Sequence, residues 1–113
     1  MFLTMNNKEP HTPAIQLWVD DPSEEPPKGW LLCQNAFRAI EILQGGQVTR
    51  ISLSYHLGQE EHVGTGRDVL LWILGALSMG FEPPEIEVHC RVPSQRQSLL
   101  AAVTQIDKLH YAP

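Results

Sequence analysis

The sequence predicts an α/β fold, a small three-layer sandwich around a four-stranded parallel sheet. Three observations carry this. Short apolar runs at Leu17-Trp18-Val19, Ile51-Ser52-Leu53 and Ile86-Glu87-Val88 have the length of strands. Helical patterns alternate with them, as strand-helix-strand units require. Each run ends in chemically capable side chains: Asp20-Asp21, Ser54-Tyr55-His56 and His89-Cys90.

Residues 1–13 are polar with two prolines and read as a disordered tail, leaving one domain over 14–110. Ile15 to Asp20 is the first strand. Pro22, Pro26 and Pro27 make the following stretch a loop, because proline fixes φ and removes a backbone donor. Trp30 to Cys33 is a short second strand. Asn35 caps a helix whose apolar face is Ala36, Ala39, Ile40 and Leu43, and Gly45-Gly46 ends it. Val48 to Ser54 is the third strand.

Thr65 and Asp68 have the spacing of a capping box, with an acid one carbon shorter than usual. The helix they open runs to about Met79, with Gly80 as its stop. Val69, Leu70, Leu71, Trp72, Ile73, Leu74 and Leu77 cover nearly its whole circumference, where a surface helix needs one stripe. A second cover is therefore expected, from a neighbouring helix or from another copy in a homodimer. Pro83-Pro84 leads into a fourth strand from Glu85 to His89. Ser94 and Gln97 read as a second capping pair, and Leu99, Val103 and Ile106 line the last helix.

Right-handed crossovers then give the strand order 2-1-3-4. The order reverses between the first and third strands, which opens a crevice at the carboxyl edge. Asp20 and Asp21 would form one wall and Ser54 the other, with His56 and His89 converging on the same edge.

At 113 residues and 42% hydrophobic content, the chain is long enough for one core. Its net charge is −5 and its eight lysines and arginines are scattered, so a long nucleic-acid duplex is not an expected partner, nor is a membrane surface. No apolar stretch is long enough to span a bilayer. The start lacks the pattern of a signal peptide, and two cysteines without a CxxC read as reduced thiols, so a cytoplasmic location is expected.

Several residue types at this edge carry alternative readings. Adjacent carboxylates at Asp20 and Asp21 suit a hard divalent cation such as Mg²⁺, or an acidic turn capped by its own side chains. His56 and His89 suit a softer divalent metal, general acid–base work, or a hydrogen-bonded strand end. Gly64-Thr65-Gly66 at a helix start offers backbone donors to a phosphate, or is a plain turn and cap. Arg91 and Arg96 follow the fourth strand, within reach of an anion at the same edge. Cys90 is nucleophilic only if its thiolate is stabilised, and burial is the alternative.

LWVDD, the Pro-rich loop ending in GW, ISLSYHLG, GTGRDVLLWIL and EIEVHCRVPSQR together resemble the cyclic-phosphate processing receiver-like family. The resemblance spans about Leu17 to Ala102. It implies a receiver- or flavodoxin-like domain truncated by its first helix and last strand-helix unit. It also implies a link to RNA repair or cyclic-phosphate chemistry. Asp20, Asp21, Gly58, Gly64, Thr65, Gly66, His89 and Pro93 match the family pattern. Ser54 and His56 stand where the family has aspartates, Tyr55 replaces a histidine, and Cys90 and Val92 replace a serine and an asparagine. Serine cannot form the acyl phosphate of a receiver.

The resulting expectation is a degenerate receiver-like domain that binds a small phosphorylated or cyclic-phosphate ligand, with little or no phosphotransfer. Asp20 and Asp21 would hold Mg²⁺ or another divalent metal. Ser54, Thr65 and Arg91 would contact the ligand, and His89 and His56 would carry any catalysis. One alternative is a pseudo-receiver that binds a protein partner. The other is a metal-dependent phosphoesterase.

Overall fold

A computed structural model describes residues 14–23 and 25–111. The expected tail at 1–13 lies outside the described residues.

Four strands form one parallel sheet: β1 (Ile15–Val19), β2 (Leu31–Cys33), β3 (Val48–Leu53) and β4 (Glu85–Val88). Their order is β2-β1-β3-β4, as expected. The register places Leu17 beside Leu31 and Ile51, and Ile51 beside Ile86. Alternation along each strand separates two sets of side chains. Leu17, Val19, Ile51 and Leu53 are fully buried on one face. Gln16, Trp18, Arg50, Ser52, Glu85 and Glu87 occupy the other.

The helices are α1 (Ala36–Gln44), α2 (Glu60–Val63), α3 (Gly66–Ala76) and α4 (Pro93–His110), with a 3-10 turn at Leu77–Met79. α3 packs against both α1 and α4. These three therefore form a single layer over the Leu17–Ile51 face, and Val69, Leu70, Ile73, Leu99 and Ile106 complete the core there. The third layer of the expected sandwich is absent among the described residues. The cause is topological: the right-handed crossovers from β2 to β3 and from β3 to β4 run in one direction along the sheet, which puts α1 and α3 on the same face, and no helix joins β1 to β2. On the opposite face, Arg50 pairs with Glu85 and Glu87, and its guanidinium lies 5.1 Å from the centroid of Trp30.

The second cover expected for α3 comes from α1 and α4 on either side, so the apolar circumference is accounted for largely within one chain. Trp72, half-buried, meets Phe81 edge-on at 5.0 Å.

Local capping explains the helix boundaries. The Asn35 side chain accepts from the amides of Phe37 and Arg38. The Thr65–Asp68 capping box forms in both directions. Ser94 does not cap: α4 starts at Pro93, with Val92 at the cap and no side-chain bond. Proline's preset φ suits the first helical position, so the helix begins two residues earlier than a Ser94 cap would start it. No helix among the described residues is long and apolar enough to cross a membrane.

Candidate functional site

Backbone pairing runs one residue beyond three strands. Asp20 N–H donates to Cys33 O, Ser54 N–H to Val19 O, and His89 N–H to Leu53 O. Asp20, Ser54 and His89 therefore stand at the carboxyl ends of adjacent strands, where the order reverses. They line a crevice of about 300 Å³ with Asp21, His56, Cys90 and Arg91. Trp18, Ser23, Val92 and Gln95 complete the lining. The convergence expected from strand ends is present.

Within the crevice, hydrogen bonds fix the carboxylates. Asp20 Oδ1 accepts from the Asp21 amide at 2.7 Å, and Asp20 Oδ2 lies 2.9 Å from His89 Nε2. Asp21 Oδ1 accepts from the Ser23 amide at 2.8 Å and from the Ser23 hydroxyl. Those bonds, the hydroxyl's first, hold the Asp21 carboxyl below its ordinary value, aided by the charge of His56 and opposed by burial. The acidic turn is thus capped by its own residues.

His89 is held on three sides. Ser52 Oγ lies 2.8 Å from its Nδ1, Asp20 engages its Nε2, and the Trp18 indole stacks on the ring at 3.8 Å and 9°. Trp18 also meets Trp30 edge-on at 5.5 Å. His56, in contrast, is exposed, and its backbone bridges to Thr65.

Two expected ligand contacts fall elsewhere. Thr65 is buried and does not line the crevice; its hydroxyl accepts from the Asp68 amide, and its own amide donates to Asp68 Oδ2. The Gly66 amide donates to Tyr55 O. These donors are engaged within the fold, which leaves the helix start poorly suited to cradle a phosphate. Between β3 and this helix start lies the short α2. Arg96 turns back to the Val88 and Cys90 carbonyls at 3.4 and 3.5 Å. Cys90 is buried, with its thiol 3.8 Å from the Val92 carbonyl, and burial raises the thiol of Cys33.

A divalent cation needs several oxygens turned toward one point. Among the described residues no three of histidine, cysteine, aspartate and glutamate are grouped to hold a metal ion. Asp20 uses both oxygens on protein donors, and Ser54 supplies no third carboxylate. The donor set does not fit a resident Mg²⁺.

Sequence reading did not single out Ser52, Trp18, Ser23 or Gln95. A signal existed for two of them. Period-two alternation puts Trp18 with Asp20, and Ser52 with Ser54, on one face.

One comparison finds a family. The profile described as cyclic-phosphate processing receiver domain matches residues 15–105, most of the chain. No curated protein and no solved structure matches.

Proposed function

This chain belongs to the cyclic-phosphate processing receiver family, and we propose that it binds a small phosphorylated or cyclic-phosphate ligand in the crevice at its carboxyl edge. The observation that supports this reading is the gathering of Asp20, Asp21, Ser54, His56, His89 and Arg91 from three strand ends around one opening. The two carboxylates are drawn toward donors of the protein itself, which reduces their repulsion of an anion. Arg91 and His56 line the same opening, the guanidinium supplying positive charge and both side chains supplying hydrogen-bond donors. A ligand of this class carries few charges, which agrees with a chain of net charge −5.

Phosphotransfer is not part of the proposal. The receiver acceptor position holds Ser54, and a serine hydroxyl cannot become an acyl phosphate. The role is recognition, linked through the family to RNA ends or nucleotide signals.

Thermal denaturation with 2′,3′-cyclic nucleotides, linear nucleotides and inorganic phosphate tests the reading. A ligand at a hundredfold its dissociation constant stabilises the fold by about 2.7 kcal/mol. Stabilisation by a cyclic or terminal phosphate, lost in Arg91→Ala and His56→Ala, is the expected result. A flat response across the whole panel would overturn it.

A further inference from the structure

Ser52 is 1% exposed, on a strand whose neighbours Ile51 and Leu53 belong to the core. Its hydroxyl points to the face opposite those neighbours, 2.8 Å from His89 Nδ1. The far side of that ring, Nε2, lies 2.9 Å from Asp20 Oδ2. Both His89 and Asp20 are largely shielded, at 20% and 14% side-chain exposure, and Trp18 covers one ring face.

We infer that Ser52 is a positioning residue, acting through His89 to hold the Asp20 carboxylate, and that His56 is the chemically open histidine of the crevice. An ionised carboxylate only accepts hydrogen bonds, so the contact to Asp20 requires a proton on Nε2. Nδ1 then has two states. Bare, it accepts from the Ser52 hydroxyl; protonated, it donates to Ser52 Oγ. Neither state turns a ring lone pair toward the crevice.

The chain Ser52–His89–Asp20 contains the residue types of a hydrolase triad but is connected the other way round. A triad histidine meets its serine through Nε2 and its aspartate through Nδ1. Here the two nitrogens are exchanged, and the serine is buried where no substrate carbonyl reaches it. The array is a brace. It fixes the His89 ring between two bonds and a stacked indole, and so fixes the orientation of Asp20 at the crevice wall.

His56 has none of these restraints. It is exposed, lines the same crevice, and makes no ring hydrogen bond among the described residues. The inference goes beyond the ligand reading and stands without it.

The test uses the ¹⁵N-labelled full chain and diethylpyrocarbonate, which acylates accessible neutral imidazole nitrogens. In the unmodified protein His56 should react at least several-fold faster than His89. Ser52→Ala should move the His89 Nδ1 resonance, downfield where Nδ1 is the acceptor and upfield where it is the donor, and leave the His56 ring unchanged. Ser52→Thr, which returns the hydroxyl, should restore it. If Ser52→Ala does not fold, Asp20→Asn takes its place and should perturb the Nε2–H resonance of His89. Equal acylation of the two histidines, or His89 ring signals indifferent to both substitutions, would overturn the inference. A brace found without any response to cyclic phosphates would overturn the ligand reading alone.

Discussion

On the helix-covered face of the sheet, Leu17, Val19, Ile51 and Leu53 have no exposed surface and share one core with Ala39 of α1, Leu70 of α3 and Leu99 of α4. On the other face, the alternate residues Gln16, Arg50, Glu85 and Glu87 pair sideways along the sheet, where Glu85 and Glu87 remain exposed. One strand therefore serves two solvents. The covered face is held by volume and shape, which makes it intolerant. The open face is held by exposed ion pairs, which contribute little each. The crevice stands where the open face reaches the carboxyl edge, since Trp18, Asp20, Ser52 and His89 continue that same alternation. It thus combines a rigid back with side chains that no helix covers.

The strongest way to break this comparison is Gly66→Ala. A Cβ at this first residue of α3 would lie 1.9 Å from the Ser54 carbonyl oxygen. Both partners are backbone, so neither can step aside. We expect a loss of at least about 4 kcal/mol, the exceptional class for a point change, or no folded protein at all. Chemical denaturation measures it. A well-folded variant would show that the covered side yields, and the contrast between faces would fail.

Next in size is a pair of changes on one strand region. Leu53→Ala removes a fully buried side chain and should cost about 3 kcal/mol. Glu87→Ala removes an exposed partner of Arg50 and should move the denaturation midpoint far less. Comparable shifts from the two would mean that the open face is structurally as demanding as the covered one.

The sheet was legible because its strands are short, apolar and separated by good helix caps. Asn35 and the Thr65–Asp68 pair mark helix starts that the structure confirms. The crevice was legible by a single rule, that parallel strands deliver their carboxyl ends to one edge. Four things were not legible. Which face each helix takes depends on crossover geometry, so the missing layer left no local signal. α2, Glu60–Val63, has no apolar periodicity and no side-chain cap. Thr65 has the composition of a phosphate contact, but only the fold shows that Asp68 and Tyr55 already engage this helix start. The brace on His89 was hidden for a related reason. Ser52 looks like an ordinary strand residue until the register sets it beside Trp18 and Glu87, two residues short of His89.

The smallest expected effect separates the crevice from the rest of the open face by its response to acid. Asp21 is held ionised first by the Ser23 hydroxyl, then by the Ser23 amide. Its folded carboxyl titrates below the unfolded one, so its contribution to stability is complete above the unfolded value. That contribution fades as the pH falls through the folded value. Ser23→Ala removes the larger donor and keeps the amide. The folded value should then rise toward the unfolded one. Stability near neutral pH should drop slightly, and the midpoint should fall less steeply on acidification. Because Asp21 is partly exposed, solvent screens the effect, and the comparison must be made between the variant and the parent across the same pH series. An unchanged acid slope in Ser23→Ala would mean that the turn is held by the amide alone. The crevice wall would then be set by backbone geometry rather than by its side-chain donors.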